Sequence, residues 1–131
     1  MEIVITDAGR SKSKRSKQRG DCVVRTLALV CGYDYDTAYD LMAKAGRKCS
    51  NGMSNAQMKK WLDNSDKFVK FSFPAIKGEK RMNLRNFADK YNTGNWFVSM
   101  AGHVLAVIEG KVMDDFRPNL DMCVYTAWRL K

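Results

Sequence analysis

Apolar residues along this chain keep a helical spacing through much of the first ninety positions and a strand-like one afterwards. Val23, Leu27, Val30 and Cys31 form one stripe of a segment that opens at Asp21 and is closed by Gly32, the pattern of an amphipathic helix with a glycine stop. Ala38, Leu41, Met42 and Ala45 repeat the i, i+3, i+4, i+7 spacing, with Asp36 as the expected N-cap and Gly46 as the stop. Ser54 and Gln57 have capping-box spacing, and Met53 and Met58 that of a hydrophobic staple. They predict a third helix that turns Met58, Trp61 and Leu62 inward. A fourth follows Asn83, with Leu84, Phe87, Ala88 and Tyr91 on its apolar face.

Strand patterns occupy the rest. Residues 1–9 predict a short strand with Ile3 and Ile5 on one side, and 68–73 a strand with Val69, Phe71 and Phe73 on one face. Residues 96–100, the stretch from His103, 112–116 and 122–128 all read as β. Helices early and strands late predict an α+β domain spanning 1–131, its N-terminal helices packed on a C-terminal antiparallel sheet. The same order argues against alternating βαβ units.

Composition narrows the function classes. A hydrophobic fraction of 45% supports a folded globule. No apolar run approaches the roughly 20 residues of a membrane span, so no membrane partner is expected. The first residues lack the basic-then-apolar order of a secretory signal, and the cytoplasm is the expected location. Free thiols are then expected at Cys22, Cys31, Cys49 and Cys123. No CxxC pair occurs and there is one histidine, so neither a metal nor another cofactor is expected.

Most of the formal net charge of +9 comes from Arg10, Lys12, Lys14, Arg15, Lys17 and Arg19. This serine-rich stretch has no apolar period and reads as a basic loop or arm over 10–19. Its cations could contact an acidic partner or nucleic-acid phosphates. No aromatic residue interleaves them, so stacking on single strands has no support there.

The single histidine gives the sharpest chemical signal. Glu109-Gly110 has the composition of a two-residue hairpin loop. In that register Leu105 faces Asp114 and His103 faces Phe116. Asp114 then shares a sheet face with His103 and lies diagonal to it, within side-chain reach, while Asp115 points the other way. Some eighty residues earlier, Cys22 begins a helix, where the positive end of the helix dipole favours thiolate. Arg19 and Arg25 push the same way; Asp21 opposes them unless it caps the helix. Cys22, His103 and Asp114 thus outline a nucleophile, a base and an orienting carboxylate. The Cys22 N–H and the Gln18 side chain are candidate oxyanion donors.

Asp21-Cys22-x-x-Arg25 together with Gly102-His103-x-x-Ala106-Val107-x-x-Gly110-x-Val112-x-Asp114 resembles the papain-like cysteine peptidases, in particular the small bacteriocin-processing type that cleaves double-glycine leaders. The likeness covers roughly 16–117 and extends to free-standing domains encoded by phages and bacteria. It implies a papain-like fold and a peptidase or amidase acting on a peptide or protein through a thioester. Val23 stands where that family usually has glycine and Gln18 lies nearer the cysteine than the family's glutamine; export-coupled leader cleavage by a transporter is not expected. The alternative is a non-catalytic papain-like interaction protein, such as a phage or bacterial inhibitor or a nucleic-acid-associated protein, that uses its basic surface.

Overall fold

The computed structural model describes residues 1–131. Four helices, α1 (Cys22–Cys31), α2 (Tyr35–Lys44), α3 (Asn55–Asn64) and α4 (Leu84–Lys90), combine with six strands. The strands are β1 (Glu2–Ile5), β2 (Phe68–Ser72), β3 (Asn95–Met100), β4 (His103–Ile108), β5 (Lys111–Asp114) and β6 (Val124–Leu130). They form one sheet in the order β1-β5-β4-β3-β6-β2. No helix is long and apolar enough to cross a membrane.

The α+β class holds, and the expected antiparallel sheet needs one correction. Strands β2 to β6 pair antiparallel, but β1 joins the outer edge of β5 in parallel, making the sheet mixed. The parallel addition closes an edge that the short β5 would otherwise leave open.

Side chains alternate across the sheet and build two cores. Phe97, Val104, Ala106 and Trp128 pack with buried residues of α1, α2 and α3. Trp96, Val98, Leu105 and Val107 point the other way, against Leu84, Phe87 and Ala88 of α4. Only the first three helices therefore share a face. On β2 the expected common face of Phe71 and Phe73 exists, since both rings pack on Tyr91. Val69 and Phe71 nevertheless stay partly exposed, because β2 is the sheet's other edge, and Phe68 is the residue it buries.

Local signals set the helix starts. Ser54 and Gln57 form the full capping box of α3. α2 begins earlier than expected: Asp34, not Asp36, is its N-cap, accepting from the Thr37 N–H at 2.7 Å. Asp36 is drawn away by Arg15, whose guanidinium it meets at 2.8 Å.

That pairing also changes the picture of residues 10–19. The segment is a loop with one short 3₁₀ turn over Arg10–Lys12, and it lies against the helices. Arg10 bonds Asp21, and Arg15 bonds Asp36 and Asp40 with its guanidinium 4.0 Å from the Tyr39 ring centre. Lys12, Lys14, Lys17 and Arg19 remain exposed.

The β4–β5 hairpin has the expected register, with Ile108 opposite Lys111 and Ala106 opposite Met113. Its two-residue loop carries φ of 49° at Glu109 and 77° at Gly110, the left-handed pair that a type I′ turn needs. A Cβ on Gly110 would also meet the Asn92 side chain at 3.2 Å. Gly110→Ala should therefore cost about 1–2 kcal/mol in urea unfolding with an unchanged m-value, while Asn92→Gly in the same background recovers only the part due to crowding.

Candidate active site

α1 packs across β4 and β3, which brings its N-terminus to the turn before His103. There the Cys22 side chain, half-buried, borders a cavity of about 200 Å³ together with His103. The imidazole Nε2 of His103 lies 2.6 Å from Asp114 Oδ2. Nδ1 is thereby the nitrogen left for the thiol. The ring also rests 5.4 Å from the Phe116 ring, as the hairpin register requires. Asp115 makes no contact with His103 and turns instead to Arg25 and Arg10. The three residues picked out from the sequence thus converge from a helix start and two strands.

Electrostatics bias the pair toward charge separation. The hydrogen bond that His103 donates to Asp114, helped by the one with Cys22, raises the imidazole from its ordinary 6.5 to about 9 despite partial burial. Burial works against ionising Cys22. His103, the Val104 N–H and the Arg25 charge outweigh it and hold the thiol below its ordinary value. Burial likewise opposes the Asp114 carboxylate, but His103 and Arg25 keep it ionised. Both shifts favour the thiolate–imidazolium pair over the neutral thiol and imidazole.

Behind these three lies a charged frame. Arg25 is buried, and its guanidinium reaches Asp21 at 3.1 Å, Asp114 at 2.8 Å and Asp115 at 2.9 Å. Asp21 is in turn held by Arg10 at 3.0 Å and by the Tyr35 hydroxyl, which donates to it at 2.8 Å. With its carboxylate so occupied, Asp21 sits at the N-cap of α1 without making a side-chain cap. The first-turn N–H groups of α1 are left to face the thiolate and whatever binds beside it.

Gln18 is placed differently from the sequence expectation. Its Oε1 accepts from Arg47 at 3.1 Å and from the Ser50 N–H, and its Nε2 points at Cys49 Sγ, 3.4 Å away. It takes no part in lining the cavity at Cys22. The physical reason is Arg47, buried between helices, whose Nη2 also bonds the carbonyls of Arg19 and Gly20. Arg47 needs acceptors, and Gln18 is the nearest side-chain one.

Of the six basic residues of the loop, Arg10 and Arg15 are spent on carboxylates, and the other four face solvent. Sequence reasoning missed Arg25 as a partner of Asp114, along with Tyr35 and Arg47. The i, i+4 spacing of Asp21 and Arg25 was a usable signal for the first half of the Arg25 frame. Nothing local could announce the second half, which spans 89 positions.

No family model, curated protein or solved structure matches this chain.

Arg25→Leu takes a shared cation from two buried carboxylates, and should cost about 3 kcal/mol of stability at pH 7. In the wild type Asp21 and Asp114 are held below the ordinary carboxylate range. Their contribution is present above about pH 4 and lost as pH falls through their depressed folded values. Urea midpoints of the two proteins should accordingly converge on acidification. A gap that stays constant down to pH 3 would assign the loss to packing instead.

Proposed function

We propose that this chain is a cysteine-dependent hydrolase, a peptidase or amidase of papain-like arrangement. The observation that carries the reading is the clamp on His103. Asp114 holds one ring nitrogen at 2.6 Å, and the other serves Cys22 at an uncapped helix start. Nucleophile, base and orienting group then stand in the relation that covalent acyl transfer requires.

In the first half-reaction the Cys22 thiolate attacks the substrate carbonyl carbon and a C–S bond forms. Negative charge collects on the carbonyl oxygen, which the Cys22 N–H at the start of α1 stabilises. His103 passes its proton to the amine nitrogen, the C–N bond breaks and the amine leaves. In the second half-reaction the neutral imidazole takes a proton from water, which attacks the thioester. The acid departs, and the thiolate and imidazolium return. Asp114 fixes the ring tautomer and steadies its charge in both halves. Transfer to an amine in place of water uses the same steps.

Alkylation of each cysteine followed by peptide mass spectrometry, across pH 5–10, tests the pair. Cys22 should react fastest of the four cysteines below pH 7, and His103→Ala should move its profile toward the ordinary thiol value of about 8.5. Hydrolysis should fall as pH climbs through about 9, where His103 loses the proton the leaving group needs. An ordinary Cys22 titration, indifferent to His103, overturns the reading.

The exposed side chains of Lys12, Lys14, Lys17 and Arg19 favour a second reading, docking of an acidic partner. Replacing all four with glutamine should then abolish a salt-sensitive association, and Cys22→Ala should leave that association intact. A complex that is lost with Cys22 rather than with the four cations argues for the hydrolase alone.

A further inference from the structure

Pairing parity decides which backbone groups of β2 face the open edge of the sheet. Phe73 donates its N–H to the Tyr125 carbonyl, and Lys131 donates to that of Lys67. In the register that pairs Phe68 with Leu130 and Ser72 with Thr126, the odd-numbered residues of β2 are then the ones that bond β6. The N–H and C=O of Phe68, Lys70 and Ser72 point the other way, and β2 is the last strand of the sheet. A free row of this kind is normally guarded by a charged side chain standing on it. Here Lys70 is folded onto α3, 3.2 Å from Asp63, and residues 69–72 are exposed.

Apolar surface surrounds that row. Val69 is 44% exposed, Phe71 37%, Ile76 56% and Tyr125 37%. Just past Ser72 a cavity of about 230 Å³ opens between Phe73, Pro74, Ile76 and Met82. Single apolar residues on a surface need no explanation, but four beside an open strand edge mark an interaction site.

The charges around the edge select its occupant. Arg129, opposite Val69, lies 5.9 Å from the Trp96 ring centre. Lys90 lies 5.6 Å from that of Tyr91, on which Phe71 packs, and Arg81 lies 4.3 Å from that of Tyr125. These cations rest on aromatic faces and not on carboxylates. Asp63, the acid that touches the strand, is taken by Lys70 and the Trp128 N–H. Asp66, Glu79 and Asp89 of the flanking segments are outnumbered by Lys67, Lys77, Lys80 and the three cations above. A second copy of this chain would bring like charges edge to edge, and its net charge of +9 adds to the repulsion.

We propose that the β2 edge docks an extended acidic segment of another protein, which joins the sheet as one further strand. The segment's main chain exchanges hydrogen bonds with Lys70 and Ser72, its apolar side chains cover Val69 and Phe71, and its carboxylates meet Arg129, Lys90 and Arg81. Strands β3 and β6 stand between β2 and the strand that carries His103. The docking site is thus independent of the hydrolase reading.

The probe is a peptide of four glutamate–valine repeats, added to the full chain at low salt. Residue-resolved amide exchange by NMR should find Val69 and Phe71 protected in the free protein and Lys70 and Ser72 open. Saturating peptide should slow exchange at Lys70 and Ser72 about tenfold. By fluorescence anisotropy the labelled peptide should bind about tenfold more tightly than its lysine–valine counterpart, and more tightly by a like factor than its fully N-methylated form. Ser72→Pro removes an outward N–H and no ladder bond, so its melting temperature should hold while affinity falls about tenfold. Lys90→Gln with Arg129→Gln should weaken binding about fivefold and flatten its salt dependence. Equal binding of the lysine peptide, protection on residues 10–19 in place of Lys70 and Ser72, or an affinity unmoved by Ser72→Pro overturns the proposal. Should Ser72→Pro melt early, the N-methylated peptide decides, and binding equal to that of its parent overturns it. Protection of Lys70 and Ser72 that grows with protein concentration and needs no peptide overturns it in favour of a second copy.

Discussion

One guanidinium joins the helical and the β halves of this protein where the site lies. Arg25 leaves α1 and meets Asp21 on its own helix, then Asp114 and Asp115 at the end of β5. A lysine could not do this, since a point charge lacks the planar fork that satisfies several carboxylates at once. The contact ties α1, which begins at Cys22, to the hairpin that carries His103 and Asp114. It also settles what Asp21 does. A carboxylate at a helix start normally caps it and lowers the field on nearby groups. Here Arg25, Arg10 and Tyr35 take that carboxylate, and the positive end of α1 is left to the thiolate.

Burying so much charge is costly unless every member is paired. The frame limits that cost by sharing: Arg10 and Arg25 both serve Asp21 and Asp115, and Asp114 serves both Arg25 and His103, while Asp115 Oδ1 lies 2.9 Å from Arg25 without an aligned hydrogen bond. Arg47 repeats the device one layer away, using Gln18 and two backbone carbonyls to pin the chain just ahead of Cys22. The loop over 10–19 is consequently part of the site's support. Its first arginine completes the frame, while its exposed lysines contribute only field.

What could be read in the sequence divides along the range of the forces involved. The hairpin register followed from two turn residues and a period of two, and it chose Asp114 over Asp115 as the neighbour of His103. The capping box of α3 was equally legible because both members lie within one turn. The N-cap of α2 was misjudged by two positions because Arg15, outside the helix, claims Asp36. The placement of Gln18 and the parallel pairing of β1 were invisible for the same reason. Each depends on a partner supplied by folding, and neither leaves a period in the chain.

The two titrating groups of the site act on stability with opposite signs as pH changes. His103, raised to about 9, contributes stability that is full below about 6.5 and is lost as pH rises through 9. Cys22, lowered, contributes stability that is present above its ordinary value and is lost as pH falls through its folded value. The two slopes have opposite signs, because raising His103 makes folding take up a proton and lowering Cys22 makes it release one. Each offsets the other where both groups titrate, and the field of α1, Asp114 and Arg25 favours the proton on His103 over Cys22.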